Sequence, residues 1–205
     1  MASRINADSS NGLQLVSDSS GEVQFQSNGI TQFTVNSSGA TGTGLGKVLQ
    51  VVTNRTDAKT VYSGSNNYSI TELSTTITPT SASSLIIVDI HLSYETNTTQ
   101  TFKSTKDGSV MTASGYEGYN NLAGNQRWSG LAAPAYDVDS NSTMSHINIR
   151  FFDASGSTTS RTYGLDIRTS DPNNKTFYLN RCIGNAGADD YENGVSFVTI
   201  MEIAQ

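Results

Sequence analysis

The chain has 205 residues, of which 35% are hydrophobic and 15% charged, against about 25% charged in an ordinary soluble domain. Its 12 basic and 18 acidic residues leave a net charge of −6, which argues against a phosphate-neutralising surface and so against nucleic acid as a partner. No run of about 18 apolar residues offers a membrane span, no hydrophobic stretch after Met1 offers a secretory signal, and the single Cys182 permits neither an intrachain disulfide nor a thiolate zinc site.

In chain order, the first 45 residues carry short patches of period two: Leu13-Gln14-Leu15-Val16, Val23-Gln24-Phe25-Gln26 and Ile30-Thr31-Gln32-Phe33-Thr34-Val35. Gly12, Gly21, Gly29 and Gly39 separate them at nearly even steps, which predicts a miniature series of hairpin-sized strands. Strands this short carry too little apolar area to offset an ordering cost of about 1–2 kcal/mol per residue. The pattern therefore predicts winding or stacking with copies of the same segment around an axis. Ala40-Thr41-Gly42-Thr43-Gly44-Leu45-Gly46 reads as a hinge, because a Gly/Thr stretch holds neither helix nor strand cheaply, and it divides the chain into residues 1–45 and 46–205.

Strand signals lengthen from Lys47 onward. Val48-Leu49-Gln50-Val51-Val52-Thr53 opens the series, followed by Tyr68-Ser69-Ile70-Thr71 and Leu73-Ser74-Thr75-Thr76-Ile77-Thr78. The strongest single strand runs over residues 84–94, with a buried start (Leu85-Ile86-Ile87-Val88) and an alternating end. Lys106-Asp107-Gly108 marks a tight turn. Further strands are expected over residues 145–152, 162–168, 177–182 and 195–203, and no stretch shows a helical period. Eight or so strands with turn clusters between them predict an all-β, two-sheet sandwich of the jelly-roll kind. Residues 112–139 depart from this rhythm, being rich in Gly, Tyr and Asn and carrying Tyr116, Tyr119, Trp128 and Tyr136. Such an insertion is either a loop that binds a receptor or partner, or one that packs over the sandwich or a neighbouring subunit.

Little in the chain suggests chemistry. His91 and His146 fall on the polar parity of their strands, and no Ser or Cys stands in a nucleophile setting. Cys182 lies late in an expected strand and reads as a small buried hydrophobe. Asp137-Val138-Asp139-Ser140-Asn141 begins like a calcium loop, but Ser142 replaces the turn glycine and Asn148 the closing glutamate. Asp189-Asp190-Tyr191-Glu192-Asn193 reads as an acidic turn, and Gly42-Thr43-Gly44-Leu45-Gly46 lacks the Lys-Ser/Thr ending of a phosphate loop. Neither a cofactor, a metal nor a catalytic residue is expected.

Several segments resemble virion structural proteins of tailed bacteriophages, particularly marine ones. Met1-Ala2-Ser3-Arg4-Ile5-Asn6-Ala7 and the run from Gly12 to Gln26 resemble their N-terminal strand repeats. Lys47-Val48-Leu49-Gln50-Val51-Val52, the run from Ile77 to Val88, the Lys106-Asp107-Gly108 turn and the ending Phe197-Val198-Thr199-Ile200-Met201-Glu202-Ile203-Ala204-Gln205 resemble a recurrent phage fibre domain. The resemblance implies a homotrimer: a jelly-roll head similar to the tumour-necrosis-factor-like fold on a short intertwined β stalk. Leu13, Leu15, Val23, Phe25, Phe33 and Val35 would then form the trimer axis. The implied function is a non-enzymatic short tail fibre or spike on the virion surface, docked on other tail or capsid proteins through residues 1–45. Tyr116, Tyr119, Trp128 and Tyr136 would face a host-surface glycan or protein. Because the long repetitive shaft of such fibres is missing, the alternative is a capsid decoration protein. A capsule-degrading enzyme is the third expectation and would need a carboxylate pair such as Asp137 and Asp139 in a groove.

Overall fold

The computed structural model describes residues 20–42, 47–64, 68–98, 100–111, 131–133, 142–169, 175–184 and 191–205. The chain divides into two compact units, Met1–Lys47 and Val48–Gln205. Fifteen strands and one short 3-10 turn make up the regular structure of the described residues, and all strand pairing is antiparallel.

In the first unit, β1 (Val23–Ser27), β2 (Ile30–Asn36) and β3 (Gly39–Gly42) lie side by side in that order. Asn28 and Gly29 join β1 to β2 with φ of 53° and 75°, and Ser27 pairs with Ile30, which is a two-residue turn of the mirror-image kind that suits strand twist. β3 is a departure from expectation, since it occupies the start of the stretch read as a hinge. The ladder to β2 holds it, pairing Phe33 with Gly42 and Val35 with Ala40. At Gly42 a Cβ would come within 2.5 Å of the Gln32 carbonyl oxygen, so the absence of a side chain is what admits the strand.

The second unit contains β4 (Val48–Thr56), β5 (Val61–Gly64), β6 (Tyr68–Ser69), β7 (Thr75–Ile77), β8 (Leu85–Thr96), β9 (Gln100–Lys106), β10 (Ser109–Val110), β11 (Leu131–Ala133), β12 (Ser145–Ala154), β13 (Arg161–Thr169), β14 (Lys175–Leu179) and β15 (Ser196–Ile203). β8 is the centre of one sheet. β12 runs along one of its edges, while β15 and then β14 share the other, with β4 beyond β15 and β5 beyond β14. In the other sheet β9 and β13 are adjacent, β7 and β6 lie outside β13, and β10 and β11 lie outside β9. The 3-10 turn Thr71–Leu73 separates β6 from β7, so the two strands expected across residues 68–78 are shorter than their hydrophobic pattern suggested.

The alternation of β8 places Ile86, Val88, Ile90 and Leu92 inward at no more than 1% exposed. They meet Phe102, Leu165 and Ile167 of the other sheet in one shared core. Tyr94 and Phe177 stack with ring centroids 5.2 Å apart, and Phe102 meets Phe177 edge-on at 5.7 Å. Each such large side chain contributes about 1.5–3 kcal/mol by leaving water. β14 ends at Leu179, because Asn180 takes a positive φ of 57° and turns the chain, so Cys182 lies beyond the strand rather than late within it. It is nonetheless fully buried.

Two buried polar groups tie the sandwich together. Glu202 stands on the inward parity of β15 and is 0% exposed. Its carboxylate accepts from the amides of Thr80 and Ser81, from Ser84 Oγ at 2.7 Å and from Gln50 Nε2 at 2.6 Å, which pins the turn before β8. Burial works against its charge, but these donors outweigh it and hold the acid down at about 2. Asp153 accepts from Tyr163 Oη at 2.6 Å and pairs with Lys106 Nζ at 2.6 Å, linking β12 to β13 and β9. Burial, together with that neighbouring carboxylate, pushes the Tyr163 phenol well above its usual range.

Candidate self-association and recognition surfaces

Four of the six residues expected at an axis are described, and all four share one face of the first unit's sheet. Val23 pairs with Val35 and Phe25 with Phe33, so the apolar side chains form two cross-strand pairs. The Phe25 and Phe33 rings stand 5.6 Å apart, within the range in which aromatic pairs attract. The opposite face is polar: Gln26 donates to Gln24, Thr31 donates to Gln24, and Gln24 and Asn36 both donate to Glu22. Phe25 remains 42% exposed and Val35 40%, so the described residues of this unit leave the apolar face partly open. Leu13 and Leu15 lie outside the described residues.

In the second unit the two histidines stand on the outward face, on adjacent strands. Their rings stack at 5.4 Å, and His91 stacks in turn on Phe197 at 4.8 Å. Asn148 Oδ1 lies 2.8 Å from His91 Nδ1, and Ser93 Oγ lies 3.0 Å from His146 Nδ1. Ser93 is 1% exposed and spends its own proton on the Val195 carbonyl at 2.9 Å. His146 Nδ1 is thus left to donate to the serine, the reverse of a base that activates a hydroxyl. Cys182 is no better placed for chemistry: burial, with Glu192 and Glu95 nearby, pushes its thiol up to about 12.

A groove of about 390 Å³ opens on the other sheet. Hydroxyls of Ser69, Thr71, Ser74, Thr105 and Thr162 and the carboxylate of Asp107 line it, which offers hydrogen bonds without an imidazole or an amine. Gly164 leaves room there, since a Cβ would approach Thr105 Oγ1 to 3.2 Å and Ser74 Oγ to 3.4 Å. Among the described residues no group of three or more His, Cys, Asp or Glu is arranged to hold a metal ion.

The expected receptor loop residues Tyr116, Tyr119, Trp128 and Tyr136 lie outside the described residues, as do Asp137, Asp139, Asp189 and Asp190. Glu202 and Asp153 were not singled out as buried hubs, although each has a visible signal. Glu202 continues the parity of Val198 and Ile200, and Asp153 that of Ile149 and Phe151. No protein-family model matches the chain, and no curated protein matches it.

Proposed function

We propose that this chain is a non-enzymatic structural protein of a tailed-bacteriophage particle, a short tail fibre or spike. Its first unit docks on the virion and self-associates as a trimer, and its second unit is the outward head that meets the host surface. The observation that carries the reading is the apolar face formed by Val23, Phe25, Phe33 and Val35, which the described residues of a single copy leave partly in water.

Strand order supports the jelly-roll part of the reading. Counting β4, β7, β8, β9, β11, β12, β13 and β15 as one to eight, the sheets run 1-8-3-6 and 2-7-4-5. That alternation between sheets is what two nested Greek keys produce. A trimer also suits a particle protein, because linking folding to assembly slows loss of the native state outside the cell.

Light scattering tests the assembly, with three times the 21.8 kDa chain mass expected. Adsorption tests the role: purified protein should bind susceptible cells and block infection. A particle-bound trimer that does neither would instead be a capsid decoration protein, and release of saccharide from host polymer would restore the enzymatic reading.

A further inference from the structure

The hydroxyl-lined groove opens where β13 loses two things at once, a neighbouring strand and a side chain. Along that edge, β7 pairs with Arg161 to Tyr163 and β6 with Asp166 and Ile167, so Gly164 and Leu165 face the 3-10 turn instead of a strand. Gly164 stands on the outward parity, alternating with the buried Tyr163 and Leu165. Its backbone is outside the left-handed region, so conformation does not demand a glycine there. A glycine inside a strand weakens it, and often marks a place where a ligand or another backbone comes close.

The groups around that hollow can bond a ligand. Thr105 is paired with Gly164 across the ladder and is 7% exposed, yet its hydroxyl makes no hydrogen bond to another described residue. Thr105 Oγ1 lies 3.2 Å from the point that a Cβ on Gly164 would occupy, and Ser74 Oγ lies 3.4 Å from it. Ser69 Oγ donates to Asp166 at 2.6 Å and so offers the groove an acceptor. Asp107 Oδ1 accepts from the Thr162 amide, which leaves Oδ2 as a second acceptor.

We infer that this groove is a binding site for one or two rings of a neutral saccharide, with Thr105 and Ser74 bonding the sugar hydroxyls that come down over Gly164. The site belongs to the sandwich of a single chain and is built without residues 112–139, so the inference goes beyond the assembly and the virion role proposed above. Its ligand class follows from the lining. A sugar hydroxyl donates and accepts at once, which matches serine and threonine hydroxyls beside a carboxylate. An anion would meet Asp107 with no cation in the lining, and the neighbouring Lys106 is held by Asp153 at 2.6 Å. An apolar ligand would strip water from the hydroxyls and replace none of its bonds. The volume of about 390 Å³ is at the small end of the about 300–1,000 Å³ usual for small-molecule sites. The Tyr163 ring is 0% exposed and its hydroxyl is bonded to Asp153, so it gives a sugar no stacking platform. Affinity should therefore be weak, with a dissociation constant of about 1–10 mM.

Ligand-observed saturation transfer on the full chain tests the site. The panel is neutral hexoses, deoxyhexoses, N-acetylhexosamines and their disaccharides, with sialic and glucuronic acids as anionic controls. A neutral sugar should receive saturation and the acids should not. Gly164→Ala fills the hollow and should weaken binding by about tenfold or more, while Thr105→Val keeps the shape without the hydroxyl and should weaken it by about three- to tenfold. Both should still melt cooperatively, because an added Cβ meets two side-chain hydroxyls first and a buried hydroxyl without a bond contributes no stability. Should Gly164→Ala fail to fold, Thr105→Val decides alone. No transfer to any neutral sugar overturns the inference. Binding left unchanged in the folded variants overturns it also, by moving the site elsewhere on the molecule, and a preference for the acids overturns the ligand class. Binding that falls in the variants while the fold persists supports it, and does so even if the purified protein fails to adsorb to cells, which removes the fibre reading alone.

Discussion

In the second unit Leu73, Ile86, Val88, Leu92 and Ile200 are all at 0% exposed, whereas in the first Phe25 is at 42%, Val35 at 40% and Ile30 at 65%. Both units are antiparallel sheets with period-two sequences, and both turn hairpins with the same chemistry. Among the described residues they differ in whether a second layer exists. The second unit lays one sheet on another and completes its core within the chain, so its stability belongs to a single molecule. The described residues of the first form three strands and no second layer, and on the proposed reading other copies of the chain finish its apolar face. Equal hydrophobic deletions should therefore register in different measurements: unfolding free energy in the second unit, association in the first.

The largest expected effect breaks the first unit's face outright. Phe25→Asp with Phe33→Asp places two carboxylates between copies, and light scattering should return a mass near the 21.8 kDa of one chain. The thermal melt of the second unit should stay cooperative. A trimer that survives both substitutions would show that the face is not a contact. In the second unit, Leu92→Ala opens a cavity in a closed core and should cost about 2–5 kcal/mol in urea unfolding, independent of protein concentration. Phe33→Ala is the contrasting change, moving the association constant while leaving that unfolding curve in place.

Glu202 sharpens the contrast by pH. Its folded-state value of about 2 lies below the usual 4.5, so the carboxylate contributes stability in full above about pH 4.5 and loses it as the pH falls toward 2. The gap corresponds to about 3 kcal/mol. Glu202→Gln keeps the shape but turns an amide toward the donors from Thr80 and Gln50, so a cost of about 2–4 kcal/mol at pH 7 is expected. Urea unfolding between pH 5 and 2 should show the wild type losing stability faster than the variant, until the two curves meet. Parallel curves would deny the carboxylate its role.

Much of this fold is visible in the residues. The alternation of Ile86, Val88, Ile90 and Leu92 reveals β8 and its buried face, and Val23, Phe25, Phe33 and Val35 reveal a shared face before any pairing is known. What stays hidden depends on contacts distant in sequence. Nothing around Glu202 announces that Thr80, Ser81 and Ser84 meet it from more than a hundred residues away; only its parity with Val198 and Ile200 hints that it points inward. β3 was hidden for the opposite reason, because its Gly/Thr composition is that of a linker and its pairing with β2 alone makes it a strand. Gly194 belongs to the same class. A Cβ there would fall into the Ser93 side chain and lie 2.6 Å from Met144 Cε, where the ends of β14 and β15 meet β8. Gly194→Ala should accordingly cost about 1–3 kcal/mol in the same urea unfolding measurement.

The smallest effect offers the most direct comparison, because the two units contain the same turn. Asn28-Gly29 has φ of 53° and 75°, and Asp107-Gly108 has 52° and 75°. Both hairpins need left-handed backbone at their first turn residue, which Asn and Asp tolerate better than Ala. In the second unit Asp107 Oδ1 also accepts from the Thr162 amide at 2.8 Å, which ties the turn to β13. Asp107→Ala should then cost about 1–2 kcal/mol of unfolding free energy, from the strained backbone and the lost acceptor together. Asn28→Ala imposes the same backbone strain on a sheet whose ordering depends on its neighbours. Its cost of about 1 kcal/mol should appear as a weaker trimer, about fivefold in dissociation constant for each altered chain, with the second unit's melting temperature unchanged. Equal shifts of that melting temperature in both variants would mean that the first unit's sheet and the sandwich unfold together, and that the division of labour between them fails.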